Sequence, residues 1–362
     1  MKIRVLQIIP TLEIGGAEKI ALEIAKKIDK DRFQLTTISL YNTEEIDKYK
    51  RKYGLDIITF NKKRGADFGL IFKLTKYIVK QKPHVIHTHL YSAPYTFLGA
   101  ILAKTPIRIH TVHSVAHKEL QPKKRKLMKF AYTFLNYRPV AISKYVEKTI
   151  AKEYKIRTSK IININNGIDT KTYSNNNKKL KTRNNKPINI ITVSRLEEVK
   201  NHKLMIDSFY EAQKNIQNIR LTIIGDGTLR NDIKNQIKQL KLENKINMAG
   251  ATDEVANELK RADIYILTSK YEGLPVSVLE AMSSGLPIIS TDIEAIDGIV
   301  INKNNGLVVP PNVKDISDAI ITLATDDKIR KKFSNNSRII SQNYDSKIMV
   351  ENYEKIYSQE KI

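Results

Sequence analysis

Residues 262–291 read ADIYILTSKYEGLPVSVLEAMSSGLPIIST, and this stretch decides the fold. Asp263–Leu267 is a short apolar run rich in β-branched and aromatic residues, which predicts a buried strand. Thr268–Leu274 contains Ser, Gly and Glu and reads as a loop. Pro275 suits the first position of a helix. Val276–Ser284 continues helically until Gly285, and Ile288–Ile289 opens another strand. Glu272 falls in the loop at the carboxyl end of the strand, and Glu280 about a turn into the helix. Ligands of open α/β sheets bind at that edge, against helix N-termini. Each glutamate has a plain alternative, a solvated loop charge or a solvated helix face. The setting of Glu280 speaks against it. No other charge lies between Glu272 and Asp292, and a lone charge in an apolar segment needs a partner.

The chain has 362 residues, long for one core, so two domains are expected. A hydrophobic content of 41% supports ordinary globular cores. Lys2-Ile3-Arg4 leads straight into a strand, unlike a signal segment. The stretch His84–Ala103, free of Lys, Arg, Asp and Glu, holds three histidines and a proline, which argues against a transmembrane helix. Zero cysteines exclude disulfides and thiolate metal sites and permit a cytoplasmic home. Lys and Arg number 62 against 38 Asp and Glu, a formal charge of +24. That balance favours anionic partners: nucleic acid, an anionic membrane surface or an acidic nucleotide substrate. Compositional drift is the alternative, since Lys, Asn and Ile are abundant throughout.

Outward from the central stretch, the first half alternates strands and helices. Ile3–Ile9 reads as a strand, Pro10–Gly16 as a loop, and Glu18–Ile28 has apolar residues at helical spacing. Gly15-Gly16 therefore sits between strand and helix, where backbone amides can face a phosphate; a tight turn is the alternative. Further strands are expected at Leu35–Leu40, Asp56–Phe60, Val85–His89, Ile107–Val112 and Arg138–Ile142, with helices such as Leu70–Lys80 between them. The alternation argues for a parallel sheet covered on both faces. His87 and His89 share one face of a strand, but a zinc site would need further ligands that are not evident. His113 follows its strand directly, at the carboxyl end; a solvated loop histidine is the alternative. His117–Lys129 (HKELQPKKRKLMK) is the clearest basic cluster. With Phe130, Tyr132 and Phe134 it can form a basic amphipathic helix suited to an anionic bilayer, or simply a solvated helical face. Asn166-Gly167 is a turn signal after the strand Lys160–Ile164. Lys171–Lys186, rich in Asn and Lys, reads as a linker.

The second half restarts the pattern. Ile188–Ser194 is a strand, Arg195–Asn201 (RLEEVKN) a loop and His202–Gln213 a helix. Arg195 and Lys200 bracket a carboxyl-edge connection. There two cations can neutralise a diphosphate, Arg by bidentate contact and Lys as a point charge; two ordinary surface cations of a very basic chain are the alternative. Leu221–Ile224 is the next strand. Gly225-Asp226-Gly227 after it is read as backbone geometry, since Gly can take φ > 0. Asp29-Lys30-Asp31, at a predicted helix end, reads as a turn.

Five segments, in this order along the chain, resemble motifs of the family-4 glycosyltransferases, the large retaining family with the GT-B fold. They are GGAE at Gly15–Glu18, NGID at Asn166–Asp169, SRLEEVKN at Ser194–Asn201, GDG at Gly225–Gly227 and EGLPVSVLE at Glu272–Glu280. Ser194 stands where the family commonly has glycine. The resemblance covers nearly the whole chain. It implies two facing Rossmann-like domains across a cleft: residues 1–170 on the acceptor side, a linker at 171–187, and a donor domain at 188–342. The C-terminal helix, 343–362, is expected to cross back onto the first domain.

The same resemblance implies transfer of a sugar from a nucleotide-sugar, UDP-linked for preference, to a glycan or lipid-linked acceptor, in cell-surface glycan assembly. Arg195 and Lys200 would hold the diphosphate, aided by Gly15, Gly16 and Asn166. Glu280 would accept from the ribose hydroxyls. Glu272, with Gly273, Leu274 and Pro275, would face the sugar, and His113 would touch it from the other domain. No protein base and no metal are expected, nor nucleic acid. Contact with an anionic membrane through His117–Lys129 is expected, at the inner face of the cell membrane. The rival classes are a nucleic-acid-binding protein, a non-catalytic sugar-nucleotide or glycan-binding module and, less favoured, a nucleotide-sugar epimerase.

Overall fold

The computed structural model describes residues 1–13, 15–65, 67–174 and 187–360. The chain divides into two compact units. The first comprises Met1–Gly167 with Ser346–Ile362, and the second Ile168–Asp345.

The first unit is built on seven strands: β1 (Ile3–Ile9), β2 (Phe33–Ser39), β3 (Ile57–Thr59), β4 (Val85–His89), β5 (Ile107–Val112), β6 (Tyr137–Ala141) and β7 (Ile162–Asn163). They pair in parallel in the order β3-β2-β1-β4-β5-β6-β7. Near-continuous apolar runs such as IRVLQII suit strands with both faces covered. Helix Gly16–Lys27 packs on the C-terminal helix Ser346–Tyr357, and Glu354 accepts from the Asp29 backbone N–H at 2.7 Å. Asp29 itself caps a turn, accepting from the Asp31 amide at 2.8 Å.

The second unit holds β8 (Ile188–Val193), β9 (Ile219–Ile224), β10 (Ile246–Gly250), β11 (Ile264–Leu267), β12 (Ile288–Thr291) and β13 (Gly306–Val309). Their order is β10-β9-β8-β11-β12-β13, again all parallel. Ile190, Ile206, Ile264, Ile289, Ile316 and Ile320 form the centre of its core, each fully buried. Each such side chain contributes about 1.5–3 kcal/mol.

Three expectations shift locally. Pro275 is the cap of helix Val276–Ser283, not its first residue; it is extended (φ −74°, ψ 101°), and its carbonyl accepts from the Val278 amide at 3.0 Å. The basic segment is two helices, Ala116–Glu119 and Pro122–Phe134, because Pro122 keeps Gln121 extended (φ −61°, ψ 153°). Lys171–Tyr173, read as linker, belongs to helix Thr170–Tyr173, whose Thr170 hydroxyl bonds Asp345. The remainder of that linker, 175–186, lies outside the described residues.

Candidate active site

In each sheet the chain reverses its direction of travel once. It runs from β8 to β9 and β10 on one side and from β11 to β12 and β13 on the other. Loops leaving the carboxyl ends of two such neighbours diverge and open a crevice between them. The loops after β8 and β11 carry the paired charges of the second unit. Lys200 Nζ donates to Glu272 Oε1 at 2.5 Å, and Ser269 Oγ donates to the same oxygen at 2.6 Å. The two backbones are joined as well. Thr268 Oγ1 donates to the Lys200 carbonyl at 3.0 Å, and the Lys270 amide to the Val199 carbonyl at 2.8 Å. Arg195, on the same loop as Lys200, is exposed, and its guanidinium makes no hydrogen bond or ion pair among the described residues. The loop thus carries one fixed cation and one open one, a pair suited to an anion with several oxygens.

Two supports hold this loop. Burial, with the Lys200 charge adding, pushes His202 down to about 4, so its ring is neutral; Nε2 lies 2.9 Å from Ser194 Oγ. The second support is Gly225-Asp226-Gly227. Gly225 has φ +136°, and a Cβ there would collide with the Ser194 carbonyl. A Cβ at Gly227 would meet Leu196 backbone atoms at 2.6–2.8 Å. The Leu196 amide donates to the Asp226 carbonyl at 2.9 Å. The reading of GDG as backbone geometry thus acquires a purpose: it lets two loops touch backbone to backbone.

Glu280 is 1% exposed. Tyr173 OH donates to its Oε1 at 2.8 Å, and Ser283 Oγ donates to the Thr170 carbonyl at 3.0 Å, so helix Thr170–Tyr173 docks on helix Val276–Ser283. The lone charge of the apolar segment has its partner, a phenol from the stretch read as linker. Gly273, Leu274 and Pro275 are buried between the two glutamates.

In the first unit the reversal falls between β1 and β4. Gly15 caps helix Gly16–Lys27 with extended backbone (φ −166°), and Gly16 is exposed; Ile14 before them lies outside the described residues. A Cβ at Gly15 would meet the Glu18 carboxylate, the movable end of a flexible side chain, so neither backbone angle nor fixed neighbours demand glycine there. His113, half-buried after β5, is no freely solvated loop histidine. Its Nε2 lies 2.8 Å from His89 Nδ1, and its backbone N–H donates to Glu119 Oε1 at 2.6 Å. Burial and the neighbouring His110 hold the His113 ring well below its ordinary pKa. Asn166 is buried, its side-chain oxygen without a hydrogen bond among the described residues. His87 and His89 stack at 4.1 Å, yet among the described residues no three His, Asp or Glu are arranged to hold a metal ion.

The structure thus gathers Arg195, Lys200, Glu272, Gly273, Leu274, Pro275 and Glu280 in one unit, and Gly15, Gly16, His113 and Asn166 in the other. Sequence reasoning missed Tyr173, Ser269, His202, Glu119 and the role of His89 beside His113. Only His89 gave a signal, by sharing a strand face with His87.

Comparison with known proteins agrees with these features. Residues 14–172 match the family model described as Glycosyltransferase Family 4, and residues 174–339 the model described as Glycosyl transferases group 1. The chain is 28% identical over 361 residues to the UDP-Gal:α-D-GlcNAc-diphosphoundecaprenol α-1,3-galactosyltransferase of Escherichia coli, spanning 93% of this chain and 91% of the relative. It is 31% identical over 165 residues to the poly(glycerol-phosphate) α-glucosyltransferase of Bacillus subtilis, spanning 45% of this chain and 24% of the relative. The crystal structure of Anabaena HepE in complex with UDP and glucose superposes with a TM-score of 0.85 at 18% identity, over 99% of this chain and 100% of the other, a likeness of fold. The two parallel sheets, the charged loops at the reversal point of the second and the two family matches lead to one conclusion: the chain belongs to the family-4 glycosyltransferases, of glycosyl transferases group 1, and has the GT-B fold.

Proposed function

We propose that this enzyme moves a sugar, with retention of anomeric configuration, from a UDP-sugar to a hydroxyl of a lipid-linked or growing polysaccharide acceptor in cell-surface glycan assembly. The observation that carries the reading is the Lys200–Glu272 pair, with the open Arg195 on the same loop, at the reversal point of the second sheet. Arg195 and Lys200 hold the diphosphate and stabilise the charge that grows as UDP leaves. The amides around Gly15 and Gly16 and the side chain of Asn166 serve the donor as well. Glu280, steadied by Tyr173, accepts from the ribose hydroxyls. Glu272 and the 273–275 backbone face the sugar; Pro275 offers only its carbonyl. His113 contacts the sugar.

The bond from the anomeric carbon to the phosphate oxygen breaks, and the acceptor oxygen bonds the same carbon on the same face. The acceptor proton passes to a phosphate oxygen, so no side chain acts as base. The two cations take the place of a divalent metal. The support for a UDP-sugar and a diphospholipid acceptor lies with the relatives. The Escherichia coli enzyme is named for both, and HepE binds UDP and glucose.

The acceptor reading brings the membrane with it. No helix among the described residues is long and apolar enough to cross a bilayer. Helices Phe68–Gln81, Phe97–Leu102 and Pro122–Phe134 carry no acidic residue. They expose Phe68, Phe72, Ile101, Leu102, Phe130 and Phe134 among several lysines. Such a surface suits the anionic inner face of a cell membrane.

The test is a panel of UDP-, GDP- and ADP-sugars with membrane extract as acceptor, wild type beside Lys200→Ala, with and without EDTA. UDP release lost in the variant and indifferent to EDTA is expected. Turnover of a different nucleotide class, or loss on chelation, overturns the corresponding part. Flotation with phosphatidylglycerol but not phosphatidylcholine vesicles, weakened by replacing Lys123, Lys124 and Lys126 with Glu, checks the membrane face.

A further inference from the structure

His89 closes β4 and pairs in register with Thr111 of β5, two residues before His113. The two imidazoles therefore stand side by side at the carboxyl edge of the sheet. Their centroids are 5.1 Å apart, and His89 Nδ1 is 2.8 Å from His113 Nε2. Burial holds both rings well below their ordinary pKa, so both are neutral and one proton joins the two nitrogens.

The far side of His89 decides which nitrogen carries that proton. Its Nε2 is buried and makes no hydrogen bond among the described residues. A buried N–H without an acceptor is the rarer and costlier defect; a lone pair without a donor is better tolerated. The proton of His89 therefore sits on Nδ1, and His89 donates to His113 Nε2. A neutral imidazole has one donor and one acceptor nitrogen. His113 then carries its own proton on Nδ1, which makes no hydrogen bond among the described residues.

His89 is itself held in place. The His87 ring stacks on it, with centroids 4.1 Å apart. Tyr357 OH lies 2.7 Å from His87 Nδ1, and Thr111 Oγ1 lies 2.7 Å from His87 Nε2. Tyr353 OH lies 2.9 Å from Thr111 Oγ1. The C-terminal helix that supplies both tyrosines thereby buttresses the histidine pair.

We propose that His89 is a positioning residue that locks His113 in its Nδ1–H tautomer, so that His113 presents an N–H donor, and no basic nitrogen, to an oxygen of the donor sugar. The consequence for the sugar rests on the reading of His113 given above; the tautomer does not.

Two-bond 1H–15N spectra of the histidine rings test it, with the His113 signals identified by their loss in His113→Gln. The wild type is expected to show protonated Nδ1 and bare Nε2 at His113. His89→Phe keeps the stack on His87 but removes the donor, and His113 is expected to shift toward Nε2–H. His89→Asn returns an amide N–H near the lost Nδ1 and is expected to restore the tautomer, which also controls for folding. kcat is expected to fall about tenfold in His89→Phe with donor KM little changed, and to recover in His89→Asn. Nε2–H at His113 in the wild type, or the same tautomer in His89→Phe, overturns the proposal. A tautomer that shifts while kcat stands still upholds the positioning role and overturns the sugar-contact reading of His113.

Discussion

Lys200 Nζ and Glu272 Oε1 lie 2.5 Å apart although 72 residues separate them. They meet because β8 and β11 are neighbours at the one place where the second sheet reverses. Both side chains are mostly enclosed, at 18% and 13% exposure, so water screens the pair only in part.

Removing either partner leaves the other charge misdirected. Lys200→Ala and Glu272→Ala should each lower kcat/KM by about 10²–10³-fold. The double variant should lose much less than the product of the two, because the residues act as one unit. Steady-state kinetics of the four-member cycle decide it; multiplicative losses would show two independent roles.

Tyr173 donates to a carboxylate that is buried at 1% exposure. Tyr173→Phe deletes one charge-assisted bond and should cost about 1–3 kcal/mol of stability in the second unit. Urea titration reads the loss. If Glu280 also serves the ribose, donor KM should rise with kcat little changed, because the binding removed is shared by ground and transition states.

Gly225→Ala asks for a side chain at φ +136° in contact with the Ser194 carbonyl. Strain of this kind costs about 1–3 kcal/mol, and relief requires the Ser194–Leu196 backbone to move. We expect a lower denaturation midpoint together with weaker donor binding, since Arg195 moves with that backbone. Weaker binding at unchanged stability would mean that the loop is held some other way.

Glu119 gives the first unit a distinctive pH response. Burial pushes its carboxyl up from 4.5 to about 8. The folded chain thus keeps a proton that the unfolded chain releases. Its stabilising effect is complete below pH 4.5 and is lost as pH rises toward 8. His110, lowered from 6.5 to about 3, works the other way and loses its contribution as pH falls below 6.5. Between about pH 7 and 8 the histidine contribution is flat, so denaturation midpoints should fall with pH in the wild type and stay level in Glu119→Gln. A wild-type slope retained in the variant would remove Glu119 as its source.

Much of the site was legible at short range. The run Asp263–Leu267, the turn residues after it and the lone Glu280 in an apolar segment locate a strand, a loop and a buried carboxylate. Each is a statement about neighbours in the chain. Gly225 was legible for the same reason, because glycine marks backbone that other residues cannot follow. Tyr173 was not. It falls in a polar stretch whose composition reads as linker, and only packing on helix Val276–Ser283 makes it part of the site.

By itself the sequence determined the alternation of strands and helices, the parallel sheets and the loops that carry charge at strand ends. Periodicity and turn chemistry act within a few residues, and they set which faces are buried. Tertiary structure alone decided which loops meet. Strand order in a parallel sheet follows from how each crossover helix packs back on it, and no local pattern records that choice. β11 inserts beside β8 and β5 beside β4, and from those two adjacencies come the Lys200–Glu272 ion pair and the His89–His113 proton.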